Sequence, residues 1–303
     1  MSPRSALRRR LLTALTGDPE GRAAWIDAVD EGDDEGYFGP ESPTWVVHGD
    51  MPTLVAGIRA LLMQTLHPGA MAGVHDWSRY RTDAAGRLTG TIRWIVSVTF
   101  GSRAQADRES ARVGRFHDRV QGTYRASTPD GEREVDYSAH DPELLDWVHL
   151  AFTEAFLGCQ ETWGRAIPGG ADRYVADWAT AGRLVGAQHP PTTRAELHAE
   201  LERLRVTGVL RRDDRVDDAV SFLREPPIAG TGLAYRILFA GAAASIPPEF
   251  RRLLGLRRPW WPAITATRIL LAAAAWVLRG SPAPSARERA IARVARLRAS
   301  VER

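Results

Sequence analysis

Residues 87–101 read RLTGTIRWIVSVTFG and, after a polar connector, residues 113–122 read VGRFHDRVQG. The fold class turns on the first of these, because its β-branched content suits a strand as well as a buried helix. On a helix, residues four apart lie over one another, so Arg87 and Thr91 would address the same space. In the second stretch Val113, His117 and Val120 fall at i−4, i and i+3, while Arg115, Asp118 and Arg119 point elsewhere. An imidazole is thereby aimed into an apolar interior. A lone histidine in that setting is more often a satisfied core residue than a ligand. Gly114, one turn earlier, shifts the balance by letting a flat group approach the backbone.

Outward from this stretch the pattern is helical. Residues 103–121 have helical composition and period, with Gly122 as the stop. GTYRASTPDGEREVDY, residues 122–137, predicts a β-hairpin around Pro129-Asp130-Gly131. Asp141 reads as the cap of a helix with Pro142 and Glu143 in its first turn, running through DWVHLAFTEAFLGC. On the other side, HGDMPTLVAGIRALLMQTLHP (48–68) predicts a helix with Asp50 near its N-cap, Pro52 in its first turn and His67-Pro68 at its end. AMAGVHDWSRY (70–80) is a shorter one. Residues 171–186, 192–205 and 231–245 predict further helices, 205–230 is looser, and a basic helix closes the chain. Residues 1–43 read as a partly flexible arm, 44–260 as one domain, and 261–303 as helices packing on it or extending from it. The fold class is therefore mostly α-helical, a single large domain between globin-like and bundle arrangements, with one small β-hairpin.

Composition narrows the function. With 303 residues and 44% hydrophobic content, the chain can bury a large core. A formal charge of +3 is small for that length and does not predict a nucleic-acid partner. All 40 basic residues are arginine, so no lysine is available as a Schiff base or nucleophile. The single cysteine, Cys159, excludes an intramolecular disulfide and any CxxC metal site, and its apolar setting marks it as a buried structural thiol. The basic N-terminus is followed only by the short LLTAL, and the apolar run at 269–278 is too brief to span a bilayer. These features predict a cytoplasmic protein with scope for peripheral membrane contact.

The remaining constellations each have a bland reading. His67 and His75 bracket PGAMAGV; His67 reads as a helix-end cap, or as a contact to a cofactor for which the small residues make room. His140 and His149 lie near Asp141 and Asp146, but no HExxH spacing accompanies them. The chain has no GxSxG, no GxGxxG and no Walker loop. A neutral imidazole is, by contrast, a common axial ligand of heme iron, which keeps His117 in view.

Taken in order, His48-Gly49-Asp50, LHPGAMAGV, GRLTGT, VTFG, FHDRVQG and YSAHDPELLDWVH give a chain that resembles the rubber oxygenase and MpaB-type family of helical b-type heme proteins. The likeness weakens after about residue 165, with echoes in LVGAQHPPTTRAELHAEL and IPPEFRRLLGL. The resemblance implies a heme-b-dependent oxygenase using O2 on a small hydrophobic alkene, isoprenoid or lipid-like. It implies His117 as the proximal iron ligand and Arg87 and Thr91 as the catalytic pair on the oxygen side. Gly114 and His67 would border the cofactor. Two departures stand out: Gly90 occupies the position of a family lysine, and no acid stands in the MAGV stretch where the family has a glutamate. They leave a heme-binding or structural helical protein without catalysis as the alternative.

Overall fold

The computed structural model describes residues 2–78, 81–128, 131–225, 231–260, 262–279, 281 and 283–301. Among these it is mostly helical, as the sequence predicts, with one antiparallel hairpin. The elements are α1 (Pro3–Thr16), α2 (Ala24–Asp27) with a 3-10 turn at Ala28–Asp30, α3 (Pro43–Gly49), α4 (Thr53–Gln64), α5 (Pro68–Trp77), α6 (Ala84–Phe100) and α7 (Arg103–His117). The hairpin β1 (Gln121–Thr128) and β2 (Gly131–Ser138) follows. Then come α8 (Pro142–Trp163), α9 (Gly170–Leu184), α10 (Arg194–Val206), α11 (Asp214–Arg224), α12 (Gly232–Ser245), α13 (Pro248–Leu253), α14 (Ala263–Leu278) and α15 (Ala286–Val301).

The centre is α4 laid along α8. Val55, Leu62 and Met63 meet Trp147, Leu150 and Leu157 in one continuous core. The Trp147 indole donates to the Gln64 carbonyl at 3.1 Å, which satisfies its N–H inside that core. A buried ion pair crosses the same interface: Arg59 Nε donates to Glu154 Oε2 at 3.1 Å, and both side chains are less than a tenth exposed. Gly158 makes this possible, since a Cβ there would lie 2.5 Å from Arg59 Nη1. Around this centre α3 packs on α6, α8 and α9, α12 on α4 and α14, and the hairpin on α5. No single helix among the described residues is long and apolar enough to cross a membrane.

Several local expectations need correction. The predicted 48–68 helix is two helices, because the chain turns at Asp50 and α4 begins only after Pro52. Asp50 does not cap α4; it accepts hydrogen bonds from Gln160 (3.0 Å) and Arg165 (3.2 Å). His67 does not end that helix but opens the next, its Nδ1 accepting from the Gly69 amide at 3.2 Å. Gly122 is not a helix stop. The helix ends at His117, and Gly122 pairs with Tyr137 in the hairpin, so Val120 leaves the helical face shared by Val113 and His117. Asp141 makes no side-chain cap bond and instead accepts from the Ser138 amide at 2.8 Å. The hairpin has the predicted place and register, while Pro129 and Asp130 of its turn lie outside the described residues.

Residues 2–42 are tied to the rest of the fold at several points. Val29 and Phe38 are buried in the main core. The guanidinium of Arg4 donates to the Trp276 carbonyl at 2.7 Å and Arg8 Nε to the Val277 carbonyl at 2.9 Å. Two cations thus satisfy carbonyls left open at the C-terminal end of α14 and complement its dipole. Arg293 of α15, fully buried, ties the opposite side by donating to the carbonyls of Val29 and Phe100.

Candidate active site

Residues 87–101 lie almost wholly in α6, which resolves the strand-or-helix ambiguity. Asp83 caps it by accepting from the Gly86 amide at 2.9 Å, and packing overrides the weak strand preference of its β-branched residues. A polar ladder pairs α6 with α7. Arg93 binds Glu109, the Trp94 indole donates to Ser110 Oγ at 3.1 Å, and Arg112 Nη2 donates to the Gly90 carbonyl at 3.2 Å. Ser97 meets Gln105 (3.3 Å), Trp94 meets Ser110 and Gly90 meets Arg112, so the α7 numbers rise as the α6 numbers fall and the helices are antiparallel. The first turns of α6, with Arg87, therefore stand level with the last turn of α7, with His117.

Helical spacing gives the facing stripes. Ala106, Ser110, Val113 and His117 follow one another along α7, buried at the first two and half-buried at the last two. Arg87 and Thr91 share their α6 stripe with Trp94 and the fully buried Val98. From Arg87 to Val96 every residue is half-buried, none fully buried and none exposed. A helix lying on a core with its back to solvent would show alternating burial instead. The Thr91 hydroxyl donates to the main-chain carbonyl of Arg87 at 3.2 Å, so it braces the backbone that carries the guanidinium and keeps its lone pairs as acceptors.

His117 is half-buried, and neither ring nitrogen has a hydrogen-bond partner among the described residues. Burial holds its pKa below the ordinary histidine value, the charge of His140 adds to this, and Asp118 opposes it. The His140 ring stands edge-on at 5.9 Å and is itself hydrogen-bonded to Asp118 at 2.8 Å. Gly90 and Gly114 flank the stripes on either helix, and a Cβ added at either meets no atom within 4 Å. Glu109 sits between the guanidinium groups of Arg93 and Arg112; burial alone would raise its carboxyl, but the two hydrogen bonds prevail and hold it low.

The other predicted histidines go elsewhere. His67 is buried at the head of α5, its Nε2 without a hydrogen-bond partner and 3.8 Å from Glu143 Oε1. His75 pairs with Asp76 at 2.9 Å. His149 is sealed in α8, pushed down to about 4 by burial, and Asp146 pairs with His189 rather than with His140. Among the described residues no group of three or more His, Cys, Asp or Glu side chains forms a metal-holding cluster. Cys159 is fully buried, its thiol pushed up to about 11 by burial, which is the inert structural thiol expected.

A family model described as ER-bound oxygenase mpaB/B'/Rubber oxygenase, catalytic domain, matches residues 45–280. The chain belongs to this family. The match spans α4 to α14 and includes both helices of the His117 site, so the chain carries an oxygenase-family catalytic domain. No curated protein and no solved structure matches it.

Sequence reasoning missed the buried groups at the centre of this domain. The His48 ring lies tilted against Trp178 with centroids 4.1 Å apart and meets the Tyr174 hydroxyl at 3.2 Å, and burial pushes its pKa down to about 3. Arg59 and Glu154 were also missed, although a signal existed. Each is the one charged residue near the middle of an otherwise apolar helix segment, and their signs are complementary.

Proposed function

We propose that this chain is a heme-b-dependent oxygenase acting on a hydrophobic alkene of isoprenoid or lipid-like character, with His117 as the proximal iron ligand. The observation that carries the reading is His117 itself: a desolvated imidazole without a hydrogen-bond partner among the described residues, at the end of α7, level with the turn of α6 that bears Arg87. Three features of the donor set fit the cofactor. Its lowered pKa keeps the imidazole neutral, which is the form that ligates iron. Open space beside Gly90 and Gly114 suits a flat ring approaching both helices. The half-buried run from Arg87 to Val96 supplies an apolar border with Trp94, Ile95 and Val96 in it.

When bound, heme supplies the one-electron and oxygen chemistry that no side chain here can perform. The chain's own residues bind, orient and exclude water. His117 would present its lone pair from the end of α7, just before the chain enters the hairpin. Arg87 brings a permanent positive charge to a low-dielectric border, where it favours any negative charge that develops on the reacting oxygen. Thr91 fixes the main chain under Arg87 and offers an acceptor to a proton donor at the site.

A second reading, heme binding without catalysis, has one specific observation in its favour. Position 90 carries no side chain, and Arg112, whose guanidinium reaches the Gly90 carbonyl, is committed to that carbonyl and to Glu109. Oxygen uptake separates the two. Heme-loaded wild type should consume oxygen with isoprenoid or unsaturated-lipid alkenes, and Arg87→Gln should lose most of that uptake while keeping its heme. Heme-loaded protein that takes up no oxygen with any such alkene would establish the second reading.

A further inference from the structure

A cleft of about 510 Å³ lies on α12, and its lining includes no residue of α6 or α7. Phe239, Ala240 and Ala243 of α12 form its floor, and Leu256 and Pro259 its apolar wall. The wall is set by the end of α13. There the Leu256 amide donates to the Arg251 carbonyl and the Gly255 amide to the Arg252 carbonyl, both at 3.0 Å. Gly255 has a φ of +62°, so this is a left-handed helix stop that folds Leu256 inward and sends Arg257 to the rim. Arg224, the last residue of α11, reaches the same rim.

The two arginines make the cleft chemically specific. Arg224 and Arg257 are exposed, and their guanidinium groups have no ion pair or hydrogen bond among the described residues. Arg212 shows what a committed neighbour looks like: it lies against Gly255 but is bound to Asp217 at 2.6 Å. Among the described residues no acidic one lines the cleft, and Glu225, next to Arg224, is not part of the lining. Two uncommitted guanidinium groups over an apolar floor match a molecule with an anionic head and one hydrocarbon tail.

We propose that this cleft binds a single-chain anionic amphiphile, a carboxylate or phosphate ester on an alkyl or isoprenoid tail, with Arg224 and Arg257 clamping the head and Phe239, Ala240 and Leu256 taking the tail. The inference does not depend on heme or on the oxygenase reading. Arginine forks suit both head chemistries, because both present paired oxygens.

The test uses full-length protein and calorimetric titration with four probes: dodecanoate, dodecyl phosphate, dodecanol and inorganic phosphate. Dodecanoate and dodecyl phosphate should bind at least about tenfold more tightly than dodecanol, and inorganic phosphate should bind weakly. Both Arg224→Gln and Arg257→Gln change exposed side chains, so folding should persist while each lowers dodecanoate affinity roughly fivefold, less at high salt. Ala240→Trp should fill the floor and weaken dodecanoate and dodecanol alike. Equal binding of acid and alcohol, or dodecanoate affinity indifferent to both arginine changes, would overturn the proposal. So would binding unaffected by Ala240→Trp in a variant shown by circular dichroism to be folded.

Discussion

Gly114→Leu should make the heme-free protein more stable while making it bind heme worse. Gly114 lies within α7, has an ordinary helical φ and is half-buried. A Cβ there meets no atom within 4 Å, so the new side chain starts without a clash. Replacing a mid-helix glycine by leucine recovers about 0.8 kcal/mol of helix propensity. The same side chain would occupy the space one turn before His117 that the flat cofactor needs. Overpacking typically costs about 1–3 kcal/mol, which corresponds to roughly a fivefold to hundredfold weaker heme affinity. Urea unfolding of apo-protein and heme titration followed by absorbance measure the two quantities separately. A variant that loses stability and heme affinity in step would point to plain structural damage. One that gains stability and binds heme unchanged would remove Gly114 from the cofactor border and refute the argument from open space.

Other consequences follow from the buried groups. The pKa of His48 is about 3 in the folded chain against an ordinary 6.5, so between those values the unfolded chain binds more protons and stability falls as pH drops. At pH 5 that linkage amounts to about 2 kcal/mol relative to pH 7.5. The paired change His48→Phe with Tyr174→Phe should remove this acid-dependent loss, and an unaltered pH profile in urea melts would contradict the assignment. His149, at about 4, contributes over the window from 6.5 down to that value. Glu154→Gln should destabilise by about 3–5 kcal/mol, because it leaves the Arg59 guanidinium buried without its counter-charge; a loss under 1 kcal/mol would show that water reaches the pair. Gly182→Ala should also destabilise markedly, since its Cβ would lie 2.7 Å from the buried His149 ring, and thermal melts would show it.

Much of the architecture was legible in one dimension because period and punctuation agree with packing. Pro142 and Glu143 announce the start of α8, and alternating residues around Gly131 announce the hairpin. The strand-like 87–101 segment was not legible, because its helical state depends on Asp83, on the ladder to α7 and on packing, all of them non-local. The end of α7 was misplaced for the same reason: Gln121 and Gly122 are taken by pairing with β2, which no local signal encodes. His117 and Arg87 were singled out by face, spacing and the family resemblance, yet what sets them level is the antiparallel pairing of two helices. The docked N-terminal segment was hidden because its partners, the carbonyls of Trp276 and Val277, are far along the chain. Composition alone makes those arginines look like a solvated arm.

The visible spectrum reports whether His117 holds heme iron, as proposed. Protein produced with a heme precursor and purified intact should show a Soret band, which His117→Ala should abolish or shift and His67→Ala should leave in place. A wild-type protein without bound heme, or a Soret band unchanged in His117→Ala, would contradict the account.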